Sequence, residues 1–202
     1  MRIGIDFDNT IVSYDALFYK VAREQDCVSP DTPANKLAVR DHLRRIGHED
    51  RWTEMQGYVY GLRMEEALAY EGVIDFIGLA TAAGHEISIV SHKTIHPYRG
   101  PQYDLHAAAR GWIEHHLVKD GKTLLPAESI YFELTKQAKL ARIADCRCDA
   151  FIDDLPEILL DKAFPVSTTP WLFDPDHYHS IYTNEGLQVF GSWLQLVKRF
   201  CT

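Results

Sequence analysis

The chain has 202 residues, of which 46% are hydrophobic and 25% are charged. This length and composition suffice for one sizeable core, or for one core with a small satellite, and they exclude a disordered chain. The formal net charge of −8 at pH 7 disfavours sequence-independent binding of nucleic acid, because such binding needs Lys and Arg clustered on one face of the protein. A ligand that carries phosphate would therefore need positive charge that is placed locally.

The first residues contain no long apolar stretch after the basic Arg2. A secretory signal and a membrane span both need such a stretch, so we expect a cytoplasmic protein with no membrane partner. The cysteines have no paired CxxC spacing, and we expect free or buried thiols rather than a disulfide framework or a zinc site. These cysteines are Cys27, Cys146, Cys148 and Cys201.

Short apolar runs alternate with helical patterns along the chain. The runs predict strands at 3–7, 86–90, 129–132, 150–152 and 170–173. Helices are predicted at 74–80, at 136–144 and, as a closing amphipathic helix, at 186–200. This alternation predicts an α/β fold with a doubly wound, Rossmann-like parallel sheet. Ligands of such sheets lie beyond the carboxyl ends of the strands.

Roughly sixty residues separate the first strand from the next helix of the sheet, whereas a whole βαβ crossover needs only about a dozen. We therefore predict a small helical cap over residues 13–70, inserted after the first strand of a core domain formed by 1–12 and 71–202. Helix-compatible spacing occurs at 14–23, 35–46, 50–60 and 64–70. We expect the cap to select a phosphorylated substrate with cationic side chains, although a solvated helix face is the alternative. These cations are Arg40, Arg44, Arg45 and Arg51.

Two acidic clusters each follow an apolar strand. Asp6 and Asp8 come after the first strand, and the pair Asp153 and Asp154 follows the run at 150–152. On neighbouring parallel strands the two clusters would meet at one rim of the sheet, where like charges repel unless a cation or a shared proton lies between them. Mg²⁺ is the expected cofactor, because it binds carboxylates, waters and a substrate phosphate. The alternative is that these residues are ordinary strand-end caps and turn formers, which two clusters in equivalent positions disfavour.

The segment Asp6-Phe7-Asp8-Asn9-Thr10 resembles the first motif, DxDx[TV], of the haloacid dehalogenase-like (HAD) superfamily. Ser91 matches the second motif, and the Asp153 and Asp154 pair resembles the fourth. The third motif is a Lys at the start of the preceding helix, for which Lys136 and Lys139 are both available. Lys139 is preferred, because it directly precedes the apolar spacing of the helix. The motifs follow the order of the family and cover residues 3–160.

The resemblance implies a role for each motif residue. Asp6 would be the nucleophile that forms an aspartyl-phosphate, and Asp8 would be the acid and base. Ser91 and the Lys would hold and neutralise the phosphoryl group. The implied metal ligands are Asp6, Asp8 through its backbone carbonyl, Asp153 and Asp154. The candidate substrate-binding residues are Thr10, His92 and Lys93.

These features predict a Mg²⁺-dependent phosphatase that acts on a small phosphorylated metabolite. Other HAD chemistry, such as that of a phosphotransferase or mutase, and a non-catalytic binding domain remain as alternatives. Dehalogenation is disfavoured, because Asp8, the acid and base that the phosphatases use, is present. The ten His residues show no closed ligand set for zinc. No oligomeric state is predicted.

Overall fold

A computed structural model describes residues 1–179 and 187–200. The chain forms two compact units. The first contains Met1–Val12, Ala69–Lys93 and His116–Thr202, and the second contains Ser13–Leu68 and Thr94–His115. The second unit therefore includes residues 94–115, which the sequence analysis assigned to the core domain.

The strands within the described residues are short. In chain order they are β1 (Arg2–Ile5), β2 (Val12–Ser13), β3 (Leu68–Ala69), β4 (Glu86–His92), β5 (Val118–Lys119), β6 (Lys122–Thr123), β7 (Ile130–Glu133), β8 (Ala150–Asp153), β9 (Thr169–Phe173) and β10 (Gln188–Phe190). The α-helices of the same residues are α1 (Asp15–Glu24), α2 (Lys36–Arg45), α3 (Glu49–Tyr60), α4 (Val73–Ala82), α5 (Leu105–His116), α6 (Lys136–Asp145), α7 (Pro156–Leu159) and α8 (Trp193–Phe200). Single turns of 3₁₀-helix occur at Met64–Glu66 and Ala127–Ser129.

A parallel sheet lies at the centre of the first unit. Its strands, within the described residues, follow the order β10-β9-β8-β1-β4-β7, and each neighbouring pair is parallel. The predicted doubly wound α/β sheet is thus confirmed. The chain passes from β1 through β4 to β7 and then continues with β8 on the other side of β1. Such a reversal of strand order opens a crevice at the carboxyl end of the strand beside it.

The central strands are buried on both faces. Ile3 and Ile5 of β1 and Phe151 and Ile152 of β8 are inaccessible to solvent. This explains why the sequence shows continuous apolar runs here rather than alternation. Gly4 lies among these residues because Phe151, its register partner on β8, occupies the space where a side chain would be.

Two predicted helices differ from the structure. The closing helix predicted at 186–200 is in fact strand β10 followed by α8, because residues 188–190 pair with β9 and so satisfy their backbone groups in the sheet. Gly186 lies outside the described residues. The helix predicted at 64–70 ends after one turn, because Leu68–Ala69 pairs with β2.

The second unit has its own aromatic core. The ring of Phe18 lies 4.9 Å from that of Trp52, and the ring of Tyr14 lies 4.8 Å from that of Tyr60. Aromatic pairs at such distances contribute beyond the area they bury. The core thereby joins α1 to α3.

Residues 94–115 belong to the second unit because of close contacts with the insertion. The indole Nε1 of Trp112 donates a buried hydrogen bond to the carbonyl of Ala67 (2.9 Å). Pro97 packs against the backbone of Gly57, where a Cβ would lie 2.6 Å from the Cβ of Pro97. The sequence does not reveal such contacts, because they depend on tertiary packing rather than on local pattern.

The four arginines of the insertion that were predicted to select the substrate have partners within the second unit. Arg44 forms two bonds to Glu49 (2.7 and 2.9 Å), and Arg40 pairs with Asp41 (2.8 Å). Arg45 contacts the ring of His42, and Arg51 donates to the carbonyl of Gln25. Their role in substrate selection stays a prediction.

The thiols of Cys27, Cys146 and Cys148 are free, as expected, whereas Cys201 lies outside the described residues. Burial raises the pKa of the Cys148 thiol to about 11, so this cysteine is a packed side chain rather than a nucleophile. None of the helices in the described part of the chain is long and apolar enough to cross a membrane.

The close packing at Gly4 yields a first prediction. A Cβ at this position would lie 2.5 Å from Cδ2 of Phe151 and 2.8 Å from Sγ of Cys148. We expect Gly4→Ala to lower the free energy of unfolding by about 1–3 kcal/mol, because the buried ring and thiol must move. Denaturant unfolding of the purified variant measures this loss.

Gly111→Ala is the matched control, because no atom lies within 4 Å of a Cβ built on Gly111 in α5. It should leave stability unchanged or raise it by up to about 1 kcal/mol, as Ala in a helix does relative to Gly. A Gly4→Ala protein as stable as the wild type would show that the packing around β1 is looser than described.

Candidate active site

Three of the predicted site residues lie at the carboxyl ends of three adjacent strands. Asp6 directly follows β1, Ser91 lies near the end of β4, and Asp153 ends β8. The amide of Asp6 donates to the carbonyl of Ile152 (2.8 Å), so the sheet ladder continues one residue beyond β1. The sheet thereby fixes the backbone from which the Asp6 carboxylate projects.

The Asp6 carboxylate is buried, with 5% of the residue exposed. Its Oδ1 atom accepts hydrogen bonds from Ser91 Oγ (2.8 Å) and from Lys139 Nζ (2.6 Å). Both donors bind the same oxygen, and the ammonium bond is charge-assisted and therefore strong. The orientation of this carboxylate is fixed by two other elements of the first unit.

Lys139 is a buried ammonium held between two carboxylates. Only 2% of the residue is exposed, and its Nζ lies 2.6 Å from Oδ1 of Asp6 and 2.6 Å from Oδ2 of Asp153. Burial lowers the pKa of Lys139, but the carboxylates of Asp153 and Asp6 outweigh this effect and raise the pKa above its ordinary value. The side chain is therefore charged at neutral pH.

The start of α6 decides which Lys reaches the site. The side chain of Thr135 accepts a hydrogen bond from the amide of Ala138 (3.1 Å), which caps the helix and places its first residue at Lys136. Lys139 then shares the buried face with Leu140 and Ile143. The ammonium of Lys136 instead contacts the carbonyl of Glu157 (2.7 Å) and Asp161 (2.6 Å). The structure brings Lys139 to the site and not Lys136, and the candidate Lys136 is corrected accordingly.

Asp153 has no solvent exposure. Its Oδ1 accepts from the amide of Leu155 (2.9 Å) and its Oδ2 from Lys139. Burial raises the pKa of Asp153 to about 7, Lys139 opposes this rise and Asp6 reinforces it. Asp153 thus lies beside one ammonium and a second buried carboxylate, surroundings that would favour a further cation.

The loop after Asp6 turns sharply. Asn9 has a positive φ of 58°, a conformation that Asn tolerates better than most residues. The amides of Ile11 and Val12 both donate to the carbonyl of Phe7 (3.0 and 3.1 Å). This turn carries Asp8 to the same rim as Asp6.

Thr10 is buried within this loop and held at both ends. Its carbonyl accepts from the indole Nε1 of Trp193 (3.0 Å), and its hydroxyl lies 3.4 Å from Oδ1 of Asp154. These contacts belong to the loop and the acidic pair, so the geometry supports an organising role for Thr10. The sequence analysis did not find Trp193, because a helix residue far along the chain carries no local signal of this contact.

The two residues after Ser91 point in different directions. Lys93 is 5% exposed, and its Nζ lies 3.0 Å from Oδ1 and 2.8 Å from Oδ2 of Asp8. His92 is exposed, and its Nε2 lies 3.1 Å from the carbonyl of Leu134. Alternate residues of a strand face opposite sides, so Lys93 shares the side of Ser91 and His92 does not. Of this pair, the structure brings Lys93 into the site.

The donor set of the site fits a hard divalent cation. Carboxylate oxygens of Asp6, Asp153 and Asp154 lie within 4.8 Å of one another, and oxygen ligands are those that Mg²⁺ prefers. Among the site residues that the structure describes, the four aspartates outnumber the two ammonium groups, and a divalent cation would balance that excess. The carboxylate of Asp8 lies on Lys93 rather than in this group, so its expected ligand atom remains the backbone carbonyl.

Several solved structures resemble this chain over nearly their whole length. A HAD family hydrolase from Deinococcus radiodurans, solved with bound phosphate and sodium, is 18% identical, with 96% of this chain and 92% of that chain covered at a TM-score of 0.56. A phosphoserine phosphohydrolase-like protein from Francisella tularensis is 15% identical, with 98% of each chain covered at a TM-score of 0.54. A dehalogenase is 14% identical, with 96% and 94% covered at a TM-score of 0.51.

The chain has the fold of the HAD-like hydrolases. No protein-family model matches the sequence, and no curated protein is significantly similar to it. At these identities the likeness shows the HAD-like fold alone. The motif residues and their contacts are the basis for assigning chemistry to it.

The two candidate lysines yield a second prediction. Lys139→Met should lower the free energy of unfolding of the EDTA-treated protein by about 3–5 kcal/mol, because it leaves two buried carboxylates without their ammonium. Lys136→Met should cost at most about 1 kcal/mol, because its ion pair is partly exposed to solvent. Equal losses in denaturant unfolding would contradict the assignment of Lys139 to the site.

Proposed function

We propose that this protein is a Mg²⁺-dependent phosphatase, which hydrolyses a small phosphorylated metabolite through an aspartyl-phosphate on Asp6. The observation that carries the proposal is the buried Asp6 carboxylate, whose Oδ1 is held by Ser91 and Lys139. A carboxylate can attack phosphorus only if positive charge and donors offset the repulsion between the two anions. The likeness to a HAD hydrolase solved with phosphate supports the same chemistry.

In the first step, Oδ2 of Asp6 forms a bond to phosphorus as the bond from phosphorus to the ester oxygen breaks. The leaving oxygen takes a proton from Asp8. Lys139 offsets negative charge on the phosphoryl group, and Ser91 orients it, as donors placed where charge develops do in phosphoryl transfer.

In the second step, Asp8 accepts a proton from a water molecule whose oxygen attacks the phosphorus of the aspartyl-phosphate. The acyl phosphate bond breaks, Asp6 is restored and inorganic phosphate leaves. One residue therefore acts first as acid and then as base. Asp6, Asp153, Asp154 and the carbonyl of Asp8 would hold Mg²⁺, which when bound supplies charge neutralisation for the phosphate.

The main alternative uses the same carboxylates with a different acceptor. In a phosphotransferase or mutase, an alcohol rather than water would attack the aspartyl-phosphate. Dehalogenation, the activity named for one of the similar structures, is disfavoured by Asp8, which a phosphatase needs as its acid and base. Retention of all motif positions disfavours a non-catalytic binding domain.

A phosphate-release screen over a panel of phosphorylated metabolites, with and without Mg²⁺, tests the proposed activity. On any ester that the wild type hydrolyses, Asp6→Asn should lower kcat by more than about 1,000-fold, because the amide keeps the shape but loses the nucleophilic charge. Circular dichroism checks that the variant is folded. Full turnover by Asp6→Asn would contradict the role of Asp6 as the nucleophile. Undiminished turnover by the wild type in excess EDTA would contradict the dependence on Mg²⁺.

The metal site yields a separate prediction. Asp153→Asn should raise the Mg²⁺ concentration for half-maximal activity by at least about 10-fold, because it removes a charged ligand. The measurement is a Mg²⁺ titration at saturating substrate. An unchanged Mg²⁺ dependence would remove Asp153 from the ligand set.

A further inference from the structure

Lys93 stands out among the described residues as a buried cation that the steps above do not use. Its side chain is 3% exposed, whereas that of Asp8 is 23% exposed. The Nζ atom lies 3.0 Å from one carboxylate oxygen of Asp8 and 2.8 Å from the other. One ammonium thus contacts both oxygens, which restricts rotation of the carboxylate.

The contact of Lys93 with Asp8 has the same sequence spacing as the contact of Ser91 with Asp6. Ser91 bonds to Asp6 and Lys93 bonds to Asp8, each across 85 positions of sequence. Ser91 and Lys93 lie two residues apart at the end of β4, so their side chains face the same side of the sheet, where they contact Asp6 and Asp8. The contact of Lys93 follows from the way the sheet places these residues.

The backbone of Lys93 continues the sheet, whereas that of Asp8 lies on a turn. Its amide donates to the carbonyl of Glu133 (2.9 Å), which continues the pairing of β4 with β7, and its Nζ lies 5.7 Å from the ring centre of Phe7. Asp8 lies instead on the sharp turn at Asn9. An anchored ammonium therefore holds a carboxylate that is carried by a loop.

We propose that Lys93 is a positioning residue, which fixes the direction of the Asp8 carboxylate for proton transfer rather than contacting the substrate. The inference rests on the proposed function, in which Asp8 is the acid and base. A general acid must lie within hydrogen-bond distance of the leaving oxygen, and a displacement of about 1 Å can cost about 100-fold in rate. Lys93 reduces the freedom of Asp8 to leave that position.

A double-mutant cycle separates positioning from substrate binding. Asp8→Asn, Lys93→Met and the double variant are compared on an alkyl phosphate and on nitrophenyl phosphate, whose leaving group needs no proton. We expect Lys93→Met to lower kcat on the alkyl ester by about 100-fold with little change in KM. The double variant should be no slower than Asp8→Asn, because residues that act as a unit are not additive.

The first turnover of nitrophenyl phosphate should be much less affected in all three variants. Lys93→Arg should recover part of the alkyl rate, because it keeps a cation beside Asp8, although its planar fork has a different geometry. Lys122→Met, in the exposed strand β6, is the control for removal of a lysine and should keep the wild-type rates. Losses that multiply in the double variant, or a rise in KM shared by both esters, would overturn the proposal and assign Lys93 to the phosphate.

Thermal unfolding of the metal-free variants tests the pair independently of activity. Asp8→Asn removes a negative charge that contacts a buried ammonium and should lower Tm, because a weaker charge balance around a buried cation is costly. Adding Lys93→Met should then raise Tm again. A further fall in Tm would contradict the pairing. A wild type without activity on any phosphate ester would contradict the proposed function, whereas an active wild type with an additive cycle would contradict only the role of Lys93.

Discussion

The contact of one ammonium with two carboxylates organises the site. Lys139 lies between Asp6 and Asp153, which follow β1 and end β8, and it comes from a helix that begins only after β7. Two ionised carboxylates buried this close are costly unless a cation lies between them, because the charges repel and have lost their hydration. The sheet order places the acidic residues, and α6 supplies the charge that makes their proximity stable.

The other contacts of the site orient the Asp6 carboxylate and place Asp8 beside it. Ser91 and Lys139 fix one oxygen of Asp6, while the turn at Asn9 brings Asp8 to the same rim. The proposed function requires two carboxylates of the same loop to act differently, one as a nucleophile and the other as an acid and base. Their environments differ accordingly, since Asp6 is buried and Asp8 is partly exposed. In such a site, the surroundings of each carboxylate rather than its residue type determine which one acts as nucleophile and which as acid and base.

The sequence pattern predicted the strands whose carboxyl ends carry the acidic residues of the site. The apolar runs before Asp6 and Asp153 indicated buried strands, and the helix predicted at 136–144 corresponds to α6. The sequence pattern favoured Lys139 but left Lys136 open, because the contact of Lys136 with Asp161 is a tertiary one. It also assigned residues 188–190 to a helix, since Val189 and Phe190 suit either period when the partner strand is unknown. The packing of Pro97 on Gly57 joins residues 94–115 to the insertion, and such a contact produces no periodic pattern in the sequence.

The indole of Trp193 joins α8 to the loop after β1. This buried side chain packs against Phe76 and Phe173 and donates to the carbonyl of Thr10, 183 positions earlier. A ribosome releases the loop that carries Asp8 long before it releases α8. The contact of Trp193 with this loop therefore forms only after α8 has been synthesised and has docked. A chain that lacks α8 would carry every motif residue without this contact to the loop that carries Asp8.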